Sequence, residues 1–449
     1  MSDHLGVDQL SSSETTATPK ARQGRGRVLF ASFIGTVIEF YDFGIYGTAA
    51  ALVFPQVFFP ALGPAAGTVA SFATFGVAFA ARPLGSIIFG HFGDILGRKR
   101  SLVATMLMMG ISTFLVGLLP TASQIGVVAP LLLTALRIFQ GIAAGGEYAG
   151  AVLFVSEHSP KASRGLWSAA PNLGGSGAII LTNLTFLLTS LTMSPQAFVA
   201  WGWRIPFLTS AVLVLLGLWV RLRVSETPVF ISQQARGTRS RAPFLEAFRV
   251  QSRQIFLAIG SMICLMALVY VGGPYLTSYG SKTLGMDQTF VLAIATVGGL
   301  MTGVGILIGS AWSDRIGRRK VMIVGAAAGT VWTLALFPIL DMKTGWAFAI
   351  GMPLTSLISG VVTGPVGAFL SELFHTRYRY TAAGISYSVA AMIGGALPPI
   401  IAPIVIERWG SLAFGFLLAF VCLLSLLCIV ALKETRNYEL DRVDTDVKN

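Results

Sequence analysis

The chain has 449 residues, of which 54% are hydrophobic and 12% charged, and its mean hydropathy is +0.73. A soluble domain carries about twice that share of charge, so a string of soluble domains is excluded and the membrane class is indicated. The formal charge of +12 would suit a nucleic-acid binder, but the basic residues sit in short loops between apolar runs, which removes that reading.

Residues 1–26 are polar and rich in Ser and Thr, with Asp3, Asp8 and Glu14. They lack the apolar core of a signal peptide, and their acids do not suit a transit peptide, so a disordered tail is expected. A spanning helix must satisfy its backbone internally and cross ~30 Å of hydrocarbon, which takes about 20 apolar residues. Runs of that kind lie at 28–54, 67–89, 101–119, 127–155, 166–191 and 203–222, and again at 252–279, 288–311, 321–340, 346–371, 382–405 and 411–432. The expected fold is an all-α membrane protein with twelve transmembrane helices in two halves. These are a six-helix bundle over 27–222, a linker over 223–251, a second bundle over 252–432 and a tail over 433–449.

Lys and Arg set the orientation of such a chain. With the amino terminus in the cytoplasm, 26 of the 32 basic residues fall on the cytoplasmic side and four, Arg204, Lys282, Lys343 and Arg408, on the other. Arg82 and Arg137 lie within spans. An even number of spans with both termini cytoplasmic preserves this bias; an odd number scrambles it. Cys264, Cys422 and Cys428 lie in apolar runs without metal-ligand spacing and read as reduced packing residues.

The chain also repeats itself at about half its length. Gly90-His-Phe-Gly-Asp94-Ile-Leu-Gly97-Arg98-Lys99-Arg100 recurs as Ser310-Ala-Trp-Ser-Asp314-Arg-Ile-Gly317-Arg318-Arg319-Lys320. Ser156-Glu157 recurs as Ser371-Glu372, and Ser225-Glu226-Thr227 as Lys433-Glu434-Thr435. Two six-span halves of the same orientation are related by an axis along the membrane normal.

These loop markers resemble the major facilitator superfamily over essentially the whole chain. More local strings narrow the resemblance: Glu39-Phe-Tyr-Asp42-Phe, Arg82-Pro-Leu-Gly85, Arg137-Ile-Phe-Gln140-Gly141 with Gly145-Gly146-Glu147, and Trp203-Arg-Ile-Pro206-Phe207. Together they resemble the metabolite:proton symporter family, in its shikimate-transporter-like branch. Asn172 departs from that branch, which often has Gln there, and the second basic loop has Ser310 in place of Gly90. The resemblance implies a bacterial inner-membrane carrier that moves a small metabolite together with a proton, working as a monomer without a cofactor.

An ionisable group in hydrocarbon is expensive and marks a functional site by default. Five occur within spans, Glu39, Asp42, Arg82, Arg137 and Glu147, all in the first half. Three negative and two positive charges leave one unbalanced, which a single proton neutralises. Burial disfavours a charged carboxylate and an adjacent arginine favours it, so a carboxylate whose arginine neighbour moves changes its proton affinity. Glu39 and Asp42 share a helix face with Tyr46 a turn beyond, and Asp42 lies ~20 Å along its helix, near midplane. The proton site is therefore expected at Asp42, with Glu39 second, Arg137 modulating, and Glu147 sharing a face of span 4 with Gln140. Arg82, whose fork matches a carboxylate, is the expected anchor of an anionic solute. The competing reading is that these charges are fixed ion pairs tying spans 1, 2 and 4 together.

Tyr270, Tyr275 and Tyr279 flank Gly272-Gly273-Pro274 and suggest a bendable span 7 offering hydroxyls to a cavity. Tyr46 and Gln140 are expected to contact the solute, Asn172, Asn183 and Tyr387 are further cavity candidates, and Pro398-Pro399 are expected to kink span 11. Asp94, Arg98 and Lys99 with Glu157, and Asp314, Arg318 and Arg319 with Glu372, are expected to latch a cytoplasmic gate. The four-residue spacing of Gly141 and Gly145 suits close helix packing. The chain has no phosphate-binding loop, nucleophile–base set or metal spacing. The expected function is proton-coupled symport of a small organic acid. Symport of a zwitterion such as betaine or proline, or exchange of metabolite for proton, are the alternatives within the class; a channel or a membrane enzyme does not fit.

Overall fold

The computed structural model describes residues 19–96, 98–157, 159–222, 243–375, 378–436 and 438, apart from the side chains of 19–31, 90–96, 98–99, 102, 148–149, 154, 157, 161, 220–222 and 243–245. Twelve long helical elements run through it. They are α1 (Pro19–Leu52), α2 (Gly63–Leu96), α3 (Arg98–Leu118), α4 (Val128–Gly145, resumed over Tyr148–Glu157), α5 (Ala169–Thr192) and α6 (Ile205–Leu222) in the first half. The second half has α7 (Pro243–Tyr270, continued to Thr283), α8 (Gln288–Ile316), α9 (Arg318–Leu340), α10 (Gly345–Thr363, resumed over Val366–Leu373), α11 (Arg379–Ala390, continued to Trp409) and α12 (Ser411–Ala431). No strand occurs among the described residues.

Each expected span coincides with one of these helices. Ten are long and apolar enough to cross a membrane, and Val103–Leu118 within α3 is a shorter apolar segment. Helix α1 is not among these ten; it carries the two acids Glu39 and Asp42 within its span. Helix α1 starts at Pro19, so residues 19–26 are helical rather than part of a tail. Helix α7 starts at Pro243, inside the expected linker, and a break at Gln251 (φ −127°, ψ 33°) turns this lead-in segment into the span. Residues 223–242, the rest of that linker, lie outside the described residues. Residues 433–436 pack against the second half and are no free tail, as shown below.

The duplication reappears in packing. In the first half α4 meets α2 at Gly141 and Gly145, where an added Cβ would sit 2.1 Å from Ala78 O and 2.0 Å from Arg82 O. In the second half α10 meets α8 in the same way, with a Cβ at Gly360 lying 2.3 Å from Thr302 O. Only a residue without a side chain permits such backbone contact. Helices α4 and α10 also break at matching points, after Gly145 and after Thr363.

The halves face each other across two seams. At one, Ser176 Oγ of α5 donates to Gly299 O of α8 at 2.7 Å. At the other, the hydroxyls of Ser86 (α2) and Ser388 (α11) are 3.1 Å apart. Helix α7 is buried along most of its length and lies centrally. The Gly-Gly-Pro sequence bends it as expected, and the bend takes the form of a π-helical turn over Val271–Tyr275. Proline removes a backbone donor, and π-turns are common where a helix yields at a functional site. Helix α11 carries its own π-turn at Ala391–Ala396, immediately before Pro398 and Pro399.

Candidate functional site

The five intraspan charges converge in one chamber of the first half, walled by α1, α2, α3 and α4 and closed on one side by α7. Glu39, Asp42, Arg82, Arg137 and Glu147 are all buried, as are Tyr46 and Gln140. Their arrangement departs from simple ion pairing. Arg137 donates through Nη1 to Gln140 Oε1 at 2.7 Å and through Nη2 to Phe75 O at 3.4 Å. Its guanidinium lies over the Tyr46 ring, 3.9 Å from the centroid. Gln140 Nε2 donates in turn to Thr113 Oγ1 at 2.6 Å, and the Thr113 hydroxyl donates to Met109 O at 3.0 Å. Gln140, expected to touch solute, thus has its amide engaged between Arg137 and α3.

Asp42 is surrounded by Thr113, Glu147 and Arg137. Because the Thr113 hydrogen is committed to Met109, neither carboxylate oxygen of Asp42 accepts a hydrogen bond among the described residues. Arg137 and Arg82 do not pair with it. The competing reading of a fixed Asp42 ion pair therefore has no support in this arrangement. Arg82 stacks on two rings, 4.2 Å from the Phe43 centroid and 4.9 Å from that of Phe79. Its Nε and Nη2 are buried without a hydrogen-bond acceptor. A buried donor left unmade is worth roughly 1–3 kcal/mol, more for a charged group, so an anion entering beside Arg82 is favoured by the donors waiting for it.

The other predicted cavity residues separate into groups. Tyr270 of α7 packs edge-on against Phe75 and Phe79, with centroids 5.6 and 4.8 Å away, and lies within electrostatic reach of Arg82, Arg137 and Glu39. Tyr46 donates to Thr74 Oγ1 at 2.8 Å. Tyr275 sits farther along α7 against Phe72 and Phe414, and Tyr279 donates to Asp341 Oδ1 at 3.0 Å, away from the chamber. Asn172 donates to Thr363 O of α10 at 3.1 Å, which places it on the seam between halves. Tyr387 and Asn183 are buried in α11 and α5.

At the face bearing the basic loops, the halves are joined by charge. Glu372 is fully buried and accepts from Arg164 Nη1 at 3.2 Å, from Arg318 Nε at 3.4 Å and from Thr435 Oγ1 at 2.9 Å. Arg164 belongs to the first half and Glu372 to the second, so this pair crosses the seam. Asp314 binds Arg318 at 2.5 Å and also accepts the backbone N–H groups of Gly165 and Leu166 at 2.8 and 2.9 Å. Gly165 allows this approach, because a Cβ there would lie 2.6 Å from Arg318 Nη1. Asp314, Arg318 and Glu372 thus meet as expected. Arg319 does not cross the seam; it donates to the terminal carbonyls of α12, Ile429 O and Val430 O. The side chains of Asp94, Arg98, Lys99 and Glu157 lie outside those described.

Sequence reasoning missed three parts of this face. Arg164 has no marker in the sequence beyond its place in a basic loop, yet it pairs with Glu372 across the seam. Glu434 accepts the N–H groups of Arg318 and Arg319 at 2.8 and 3.2 Å and so caps α9, where a negative charge suits the helix amino terminus. Thr435 completes the coordination of Glu372. The repeat marker Lys433-Glu434-Thr435 was the available signal, read as an index of duplication rather than as a contact.

A duplicated twelve-helix shell, with titratable groups in its interior and an ion-paired seam at one face, defines a polytopic membrane transporter. The chain belongs to the major facilitator superfamily, which its sequence matches over residues 32–397 and 273–444. It is 39% identical over 421 residues to the inner membrane metabolite transport protein YhjE of Escherichia coli strain K12, covering 93% of this chain and 96% of that protein. It is likewise 39% identical over 418 residues to the shikimate transporter of the same strain, covering 91% and 95%. The proton:xylose symporter XylE bound to 6-bromo-6-deoxy-D-glucose superposes with a TM-score of 0.75 at 17% identity, covering 94% of this chain and 98% of that one. At that identity the likeness concerns the fold. The protein is accordingly a metabolite transporter of this superfamily.

Proposed function

We propose that the protein is a proton-coupled symporter of a small organic acid, working by alternating access as a monomer in a bacterial inner membrane with its basic loops and both termini in the cytoplasm. In this reading residues 27–222 and 252–432 are the two rocking bundles. The observation that carries it is the presence in one buried charge cluster of Asp42, whose carboxylate lacks donors, and Arg82, two of whose guanidinium nitrogens lack acceptors. Ionised, Asp42 is desolvated without compensation; a bound proton removes that charge. An anionic solute supplies the acceptors that Arg82 lacks, in a bidentate geometry suited to its fork. Proton and anion together leave the net charge of the chamber unchanged on loading, so both the empty and the loaded forms can be enclosed in hydrocarbon.

Glu39 and Glu147 complete the charge set around this pair, and Tyr46, Gln140 and Arg137 hold its geometry. Tyr270, Tyr275, Tyr387 and Asn172 are the polar contacts available to the solute as the chamber opens. The ion-paired face, with Glu372 between Arg164 and Arg318, is the cytoplasmic gate in its closed form, and Asp314 and the repeat-related set of Asp94, Arg98, Lys99 and Glu157 belong to the same gate, while Arg319 ties α9 to the end of α12 beside it. Breaking such buried pairs is unfavourable by about 3–5 kcal/mol, which the bound solute must offset through contacts made only when the gate opens.

The similarity to the shikimate transporter and the bare Arg82 favour a carboxylate over a zwitterion. The test is uptake of labelled shikimate, 2-oxoglutarate, citrate, proline and betaine into proteoliposomes under an inwardly directed proton gradient. Gradient-driven accumulation of one of the acids in preference to both zwitterions is expected. Accumulation of proline or betaine with no acid transported would overturn the assignment to acids.

A further inference from the structure

Arg137 lies within electrostatic reach of Asp42, and Arg82 and Arg137 share the ring of Phe43, the residue next to Asp42 on α1, yet Asp42 pairs with neither. Phe43 follows Asp42 directly on α1, is buried, and has Arg82 Cζ 4.2 Å and Arg137 Cζ 5.0 Å from its centroid. Phe79 backs the same ring at 5.6 Å and lies under Arg82 as well. Phe75 and Tyr46 continue the aromatic surface beneath Arg137, at 5.4 and 3.9 Å. A desolvated guanidinium over an aromatic face is held by the ring quadrupole, and this attraction needs no hydrogen bond from the guanidinium edge.

From this geometry we infer that Phe43 is a positioning residue: its ring holds Arg82 and Arg137 by cation–π contact and so keeps both guanidiniums from forming an ion pair with Asp42. The inference rests on the reading of Asp42 as the proton site. Its physical content is a competition. Ion pairing would stabilise the charged carboxylate and keep the proton off. Stacking stabilises the same cations without involving the carboxylate, leaving Asp42 able to accept a proton and Arg82 able to accept an anion.

The groups that face this ring and Asp42 are few enough to enumerate by element. Helix α1 itself contributes Glu39 and Tyr46, while Tyr41 turns its hydroxyl away to Pro206 O. Helix α2 contributes Arg82, α4 contributes Arg137 and Glu147, and α7 contributes Tyr270. Helix α3 presents Thr113, whose hydrogen is committed elsewhere. Of these, only the two arginines can supply a positive partner to Asp42, and both are over the Phe43 ring.

The test replaces Phe43 in the full-length protein by phenylalanines carrying one, two and three ring fluorines. Fluorine withdraws charge from the ring face while nearly preserving its shape, so the packing survives as the cation–π attraction weakens. The readout is the infrared carbonyl stretch of the protonated Asp42 carboxyl in lipid vesicles, identified by its loss in Asp42→Asn and followed across pH without any solute. The midpoint of that band is expected to move stepwise toward acid, by about one pH unit over the series, as an arginine turns to the carboxylate. Phe43→Tyr, which keeps the ring face, is expected to retain the unmodified midpoint. An unmoved midpoint across the series, or the absence of any carboxyl band lost in Asp42→Asn, overturns the assignment. Because no solute is present, this failure is distinguishable from failure of the symport reading. A midpoint that moves while uptake is not proton-linked preserves the role of the ring and removes that of the symporter.

Discussion

In the proposed reading, Arg82 is the residue on which solute selectivity turns. Its guanidinium lies over two aromatic rings, and two of its nitrogens are buried without acceptors. A hydrogen bond to a charged group is worth about 1.5–3 kcal/mol, or roughly 10–100-fold in affinity. Arg82→Gln is therefore expected to weaken half-saturation for a transported acid by that factor in proteoliposome uptake, and to affect betaine little. Equal loss for acid and betaine would remove the reason for preferring an anion. At this scale the charged residues were legible in the sequence, because Glu39, Asp42, Arg82, Arg137 and Glu147 stand out against apolar runs and the energetics of hydrocarbon make each one meaningful. Phe43, Phe75 and Phe79 were not legible. A phenylalanine in a transmembrane segment has no contrast with its neighbours, and only the tertiary structure shows that these rings carry guanidiniums. Gln140 was read as a ligand contact because its position was right; its engagement with Arg137 and Thr113 depends on how α3 meets α4.

At the scale of elements, the contact between α2 and α4 connects packing to function. Gly145 touches the backbone of Arg82 itself, with a Cβ predicted only 2.0 Å from Arg82 O. Gly145→Ala must push the helices apart and carry Arg82 with them, at about 1–3 kcal/mol of overpacking. The equivalent contact between α10 and α8 has Gly360 against Thr302 O at 2.3 Å, where no intraspan charge is held. Both substitutions are expected to lower thermal stability by a similar amount in detergent. Gly145→Ala alone is expected to reduce the preference for acids in uptake; an identical transport defect in both variants would show that the glycine stripe serves packing only. The spacing of Gly141 and Gly145 made close approach legible in advance, and Gly272-Gly273-Pro274 made the bend of α7 legible. The π-helical form of that bend was not, since it depends on the seam against α1 and α2. The early starts of α1 and α7 were also hidden, because polar lead-in turns carry no hydrophobic signal.

Over the whole molecule, the two halves are alike in architecture and unlike in chemistry. Both use paired glycines to bring the second and fourth helices of their half together, and both break the fourth helix towards its carboxyl end. Among the described residues only the first half carries buried charges at mid-span, whereas the second half supplies Glu372 and Arg318 to the ion-paired face, where Glu434 caps α9. In the proposed reading this division gives proton and solute chemistry to one bundle and closure to the contact between bundles. Duplication was legible from the repeated loop markers; the crossing of the seam by Arg164, and the return of Glu434 and Thr435 onto α9 and Glu372, required the folded chain. The central claim is that Asp42 carries the coupled proton. Its most direct test records solute uptake and vesicle acidification together in proteoliposomes, for the unaltered protein and for Asp42→Asn. The account predicts that the unaltered protein accumulates solute with linked proton entry, and that Asp42→Asn exchanges solute at comparable rates while neither moving protons nor accumulating against a gradient. Proton-linked accumulation that persists in Asp42→Asn would contradict it.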